Sequence, residues 1–375
     1  MYYKLLNNIR YIKDFYSISY LDEINVEIKN KINILDLAEK YLTNLPNLDD
    51  FINLKELIIS DNNLAKLPDL SKLVNLNLLR CNDNNLIEIS DLLNCINLQY
   101  LYLFNNKIVK ITNFDNLIKL KYLYLSFNKL IKLPNLSTCI NIKYLDCSNN
   151  KLTKLPSLST LINLSTLKCD NNNLTKLPNL NKCIKLLNLL CNNNNLIELP
   201  NLPINLKYLN CSNNNLIELP NLPIKLNNLN CEKNKLLKLP NLNKCVNLQN
   251  LECKHNNLSI LPKIPNNLYY LNCCYNNIVK LPYFSNKSKL ILLYCNYNKI
   301  TYLPDLPLKI LNFNFYKNNI IKLPNRITQY KLLLHYKKYN KYNLLYQLND
   351  LLNYYISNYY YFSIMKYYNN KYKYN

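Results

Sequence analysis

Eight cysteines recur along this chain at intervals of 20 or 22 residues: Cys147, Cys169, Cys191, Cys211, Cys231, Cys253, Cys273 and Cys295. A thiolate is both a nucleophile and a soft-metal ligand, so a periodic row of thiols raises two chemistries. Zinc wants four ligands converging on one point, and a line of thiols one repeat apart does not converge. The row therefore reads as small apolar side chains packed in a core. Cys274 follows Cys273 directly, which on extended chain points it to the opposite, outward side. His255 is its diagonal neighbour one repeat earlier, with Lys254 beside it, the beginnings of an activated thiol. With no Gly in the chain to build an oxyanion loop, the pair reads as chance juxtaposition. No catalytic residue, cofactor or metal site is assigned.

The missing glycine excludes more than that loop. Dinucleotide folds, P-loops, kinase nucleotide loops and the nucleophile elbow all need Gly where backbone meets phosphate or turns sharply. The chain is read as non-enzymatic. Its 46 Lys and Arg against 23 Asp and Glu give a net charge of +23, which attracts nucleic acid, anionic membrane or acidic protein without choosing among them. No helix-turn-helix or zinc-finger pattern accompanies the charge, so nucleic acid is disfavoured as a partner. Residues 1–20 are interrupted by Lys4, Asn7, Asn8, Arg10, Lys13 and Asp14, unlike a signal peptide, and no apolar run reaches membrane-spanning length. Reduced core thiols then place the protein inside the cell, and it is expected to be a cytoplasmic monomer. The excess of Asn, Lys, Ile, Leu and Tyr, all AT-coded, fits an AT-rich genome such as that of a large DNA virus of protists.

Between residues 32 and 324 the cysteines belong to a longer frame, Leu-x-x-Leu-x-(Leu/Cys)-x-x-Asn-x-Leu-x-x-Leu-Pro, repeated fourteen times. One copy reads Leu120, Leu123, Leu125, Asn128, Leu130, Leu133, Pro134. Slots four and six are two apart, the period of a strand burying one face, so each copy supplies one strand of a parallel sheet. Cys81 shares slot six with the row, while Cys95, Cys139, Cys183 and Cys245 lie three residues before a copy begins, also at inward places. Asn at slot nine, from Asn62 to Asn318, has an amide that both donates and accepts where the chain leaves its strand, predicting a stacked Asn ladder. The Leu-Pro step suits chain leaving a sheet. Positive-φ turns should fall on slot ten, at Asn63, Asn85, Asn173 and Asn195.

This frame resembles the leucine-rich-repeat family over about four-fifths of the chain. Copies starting at Ile32, Leu54, Leu76, Leu98, Leu120, Ile142 and Leu164 are 22 residues long and resemble the class found in phosphatase-regulatory subunits. From Leu186 the steps run 20, 20, 22, 20, 22, 20, and the short copies resemble the bacterial-effector class. The resemblance implies an α/β solenoid, a horseshoe with a parallel β-sheet on its concave face and helical end caps. Pro203, Pro223, Pro265 and Pro307 predict a thin, extended outer side with only short 3₁₀-like turns, and a shallower horseshoe toward the C-terminus. Three segments follow: an N-terminal cap (1–31), read as a helix or hairpin, the repeat domain (32–324), and a Tyr/Lys-rich helical cap and tail (325–375). Effectors with similar repeats can carry a ubiquitin-ligase domain with a catalytic Cys. No Cys follows Cys295, so that activity is not carried over.

Family members bind protein partners on the concave face. Among its outward slots, Tyr100, Tyr122 and Tyr144 occupy slot three in consecutive copies, Tyr102 and Tyr124 occupy slot five, and Phe104 and Phe127 lie at slots seven and eight. Clustered aromatics on a rigid sheet are typical interface anchors, and these seven form the candidate partner site. Tyrosine also drifts into strands through its β-propensity, the competing account. A lysine row at slot 13 (Lys66, Lys110, Lys132, Lys154, Lys176, Lys238, Lys280, Lys322), joined by Lys107, Lys129 and Lys151, reads as a solvated edge. The alternative function is an adaptor recruiting a ubiquitin ligase or phosphatase through its terminal segments.

Overall fold

The computed structural model describes residues 11–12, 21, 23–89, 92–307 and 309–321. Fifteen strands in sequence order form one parallel sheet. The first, β1 (Tyr11–Ile12), precedes the repeated frame and pairs in parallel with β2 (Ile34–Asp36), through Tyr11 with Ile34 and Ile12 with Leu35. Between them lies α1 (Val26–Lys29), a single turn whose Asn25 side chain accepts from the Glu27 N–H at 2.8 Å. The N-terminal segment thus extends the sheet. The reading of residues 325–375 as a helical cap and tail lies outside the described residues, as does most of the N-terminal cap at 1–31.

Each of β2 to β15 contributes three residues, slots three to five of its copy. The middle residue is buried and, in all but two strands, both flanking residues are half-buried, as in Tyr122, Leu123 and Tyr124 of β6 (Tyr122–Tyr124). In-register pairing places each slot beside the same slot of the next copy, so Tyr100 pairs with Tyr122 and Tyr122 with Tyr144. Slot-four and slot-six side chains fill one continuous core, with Leu79, Cys81, Leu101, Leu103, Leu123 and Leu125 all at 0 % exposure. One copy alone would bury too few side chains to offset about 1–2 kcal/mol per residue of backbone ordering, so each depends on its neighbours.

The Asn ladder satisfies the turn beneath the sheet. Asn172 shares its amide hydrogens among the carbonyls of Cys147 (3.0 Å), Cys169 (3.2 Å) and Asp170 (3.1 Å), while its Oδ1 accepts from the Leu152 N–H at 2.9 Å. The same four contacts recur in the neighbouring rungs at Asn194 and Asn150.

Positive φ falls at slot eight, not slot ten. Asn149, Asn171, Asn193 and Asn213 adopt φ of 52°, but so do Asn105 and His255, and Phe127 (53°), Tyr275 (54°) and Tyr297 (54°) follow them. Only Tyr41 is left-handed at slot ten. Slot eight reverses the chain just before the ladder Asn must turn inward, so the requirement comes from the stack and is imposed even on bulky side chains. On the outer side, 22-residue copies other than the one from Leu268 close through two successive three-residue-spaced hydrogen bonds, such as Leu73 N–H to Leu70 (3.0 Å) and Leu76 N–H to Leu73 (3.0 Å). The 20-residue copies keep one, such as Leu206 N–H to Pro203 at 3.1 Å. The outer side is thin in both.

Candidate functional site

Register converts the tyrosine slots into stacked columns. Tyr100 and Tyr122 stack with ring centres 5.1 Å apart and planes within 5°. Tyr102 stacks on Tyr124 at 4.7 Å and 10°, and Tyr124 meets Tyr144 at 4.7 Å with a 34° tilt. Cations cap both ends of the column of Tyr102, Tyr124 and Tyr144. The Arg80 guanidinium lies 4.9 Å from the Tyr102 ring centre, and the Lys168 ammonium 5.5 Å from that of Tyr144. Lys168 also reaches the Asp146 carboxylate at 3.9 Å. The ring faces are therefore turned to one another and to the caps, leaving ring edges and hydroxyls for a partner. Burial, then the crowding of Tyr102, Tyr144 and Tyr122, pushes the Tyr124 hydroxyl up to about 12, so it stays a donor at neutral pH. Phe104 borders the columns half-buried, and Phe127 stands 58 % exposed at its left-handed slot. Arg80 and Lys168 sit at slot five, legible by position though not as caps.

A second column was missed by the sequence reading. At slot eight, His255 stacks on Tyr275 at 4.2 Å and 12°, and Tyr275 on Tyr297 at 4.3 Å and 11°. The edge of Tyr316 closes it at 5.1 Å. Slot eight reads as outward in the sequence, but only Phe127 was drawn from it, whereas the signal here was an aromatic ring at that slot in three consecutive copies.

The proposed outward thiol is a correction. Cys274 is 5 % exposed, and its Sγ–H donates to Asn296 Oδ1 at 2.6 Å. Slot seven lies close beneath its neighbours on the strand face, where Ser126, Ser148, Ser212 and Asn296 are buried too while Phe104, Glu232 and Lys254 stay half-buried. Burial pushes this thiol up to about 11, the reverse of activation. His255 packs its ring on Tyr275 rather than on the thiol, and Lys254 pairs with Glu232 at 2.9 Å and Glu252 at 3.6 Å. The slot-six cysteines behave as core. All are buried and free, and from Cys147 to Cys273 each Sγ–H points to a carbonyl of the next strand, as Cys147 does to Lys168 at 3.3 Å. Among the described residues no three His, Cys, Asp or Glu side chains gather as a metal site. The described slot-13 lysines, including Lys66, Lys110, Lys132 and Lys154, are exposed. No described helix is long and apolar enough to cross a membrane.

Comparison with known proteins agrees with this architecture. The family model for leucine-rich repeats in two copies matches residues 96–138, the stretch carrying Tyr100, Tyr102, Tyr122 and Tyr124. No curated protein matches at the level of sequence. Among solved structures, the leucine-rich effector YopM from Yersinia pestis is 30 % identical with a TM-score of 0.63, over 79 % of this chain and 86 % of that one. The functional domain of InlJ from Listeria monocytogenes, described as including a cysteine ladder, is 28 % identical with a TM-score of 0.60, over 75 % of this chain and 66 % of that one. A leucine-rich-repeat protein of Leptospira interrogans shares the fold, at 24 % identity and a TM-score of 0.61, over 84 % of this chain and 90 % of that one. Frame, sheet, ladders and these likenesses together place the chain in the leucine-rich-repeat family.

Proposed function

We propose that the protein is a non-enzymatic binding scaffold, working as a monomer inside the cell, whose concave face docks a protein partner at repeats four to six. Solenoids of this family typically mediate protein–protein binding and are generally not enzymes. The observation that carries the reading is the column Arg80, Tyr102, Tyr124, Tyr144 and Lys168, a rigid row of rings held between two cations. Tyrosines on a sheet present contact area at little entropic cost, and their hydroxyls fix register. With ring faces already stacked, the partner fits as an extended acidic segment. Its carboxylates meet Arg80 and Lys168, its backbone carbonyls accept from the tyrosine hydroxyls, and its apolar side chains rest on Phe104 and Phe127.

Affinity capture from cell lysate, read by mass spectrometry, tests this with Tyr102, Tyr124 and Tyr144 all changed to Ala. Capture of the specific partner should drop at least about tenfold while the urea-unfolding midpoint shows a folded protein. An unchanged set of captured proteins removes the patch.

A further inference from the structure

The flank on which the chain returns to the sheet carries an unbroken aliphatic row. Ile52, Val74, Ile96, Ile118, Ile140, Ile162, Ile184, Ile204, Ile224 and Val246 occupy the second residue before the next copy in ten consecutive repeats, at 42–65 % exposure. At about 4.8 Å per strand the row is on the order of 45 Å long. Codon bias does not account for it. The next residue is always Asn or Lys over the same ten repeats, equally AT-coded, yet neither enters the aliphatic slot until Asn266 in the copy that follows. Backbone preference does not account for it either. The other exposed aliphatic row, at slot 12, links copy to copy through main-chain bonds such as Val109 N–H to the Ile87 carbonyl at 3.0 Å, where β-branched residues are favoured. The returning flank is a turn, in which Ile184 N–H bonds only two residues back, to the Lys182 carbonyl at 2.9 Å.

Charge complements the row. From Ile96 to Val246 the exposed places beside it hold Lys119, Lys143, Lys185, Lys207, Lys225 and Lys244, and the slots directly flanking it hold no Asp or Glu. Lys119, Lys185 and Lys225 bond to the neutral amide oxygens of Asn97, Asn163 and Asn205 at 2.6, 2.7 and 2.8 Å, which orient the ammonium groups without cancelling charge. Protein interfaces are depleted in Lys and anchored by aromatic or Arg side chains, and this flank reverses both preferences. Lysines that work as hydrated point charges beside shallow aliphatic groups suit lipid headgroups. We propose that this flank docks on the surface of an anionic phospholipid bilayer, with the aliphatic row at the headgroup–acyl boundary and the lysines against lipid phosphates and carboxylates.

Sedimentation of the full chain with vesicles of phosphatidylcholine, with and without phosphatidylserine, tests the proposal. Binding should require phosphatidylserine, weaken with salt, and drop at least about tenfold when Ile118, Ile140, Ile162 and Ile184 are changed to Asn. If that variant does not fold, Lys119→Gln, Lys143→Gln, Lys185→Gln and Lys225→Gln together should lower binding several-fold more than Lys66→Gln, Lys110→Gln, Lys132→Gln and Lys154→Gln on the opposite flank. Three results overturn it: no binding to phosphatidylserine vesicles at low salt, equal loss from the two lysine sets, or full binding by a folded isoleucine variant. Binding of polyglutamate that needs the isoleucines, without vesicle binding, overturns it in favour of an acidic protein.

Discussion

Repeats four to six and repeats eleven to thirteen each carry a stacked aromatic column, and the two differ in everything except the stacking. The first rises from strand slots three and five, on the face of the sheet, and ends on Arg80 and Lys168. The second rises from slot eight, has every member but Tyr316 at positive φ, and runs from His255 to the edge of Tyr316. Ring spacing in the second, 4.2 and 4.3 Å, is if anything tighter than the 4.7 Å of the first. Rings stack at one recurring slot in both regions, Tyr102 on Tyr124 and His255 on Tyr275, so stacking alone does not mark a binding site. Location and charged caps distinguish the first column, and the second is its internal control.

The largest effect asks whether both columns stand on the same support. Asn128 accepts from the Ile108 N–H and donates to the Leu103, Leu125 and Ser126 carbonyls, and Asn276 repeats that set with Leu258, Cys253, Cys273 and Cys274. Changing either to Ala leaves buried backbone groups unpaired and should cost about 3–5 kcal/mol in urea unfolding. Equal losses mean a shared scaffold, whereas a loss at Asn128 alone would show that the second column stands on something else.

Next in size is partner capture. Changing Tyr275 and Tyr297 to Ala should leave capture intact, against the tenfold loss expected of the Tyr102, Tyr124 and Tyr144 variant. Equal losses would break the distinction between the columns. Smaller again are the caps: Arg80→Gln with Lys168→Gln should weaken capture several-fold while moving stability by less than about 1 kcal/mol, since exposed cation–π contacts are individually weak.

The scaffold was legible because its physics repeats. Leu123, Leu145 and Leu167 mark strand centres by a two-residue period, the slot-six cysteines sit where a Leu would, and Asn128 declares its role by recurring where the chain turns. Illegible were features that depend on three-dimensional closure. Asn occupies slots eight and ten alike, so composition could not choose which is left-handed, and Phe127, His255 and Tyr275 gave no sign of it. Counting along an extended chain set Cys274 outward but gave no sign that Asn296 of the next copy covers its thiol. β1 lies in a segment without the frame, where periodicity has nothing to say. The seven candidate aromatics were found by slot, but the caps and the second column needed ring geometry.

The smallest difference between the columns is in how they titrate. Burial, with Lys254 and Lys233 nearby, lowers His255 from its ordinary value, so the folded state prefers the neutral ring and the unfolded chain binds its proton first. Stability from this residue is present above the ordinary histidine value of about 6.5 and lost as pH falls below it toward the folded value. Tyr124 is displaced the other way, up to about 12, so its contribution is present below the ordinary tyrosine value of about 10 and lost as pH rises through the folded one. His255 should therefore weaken the second column in acid and Tyr124 the first in alkali; Tyr275 and Tyr316 are raised as well, so acid is the side on which the columns differ. Urea midpoints taken across pH for His255→Gln and Tyr124→Phe, each as a difference from the unaltered protein, isolate the two groups from the other titrating side chains. The His255→Gln difference should change only on the acid side and the Tyr124→Phe difference only on the alkaline side. A change on the same side for both would mean that the columns are coupled through the stack, and the second could no longer serve as a control for the first.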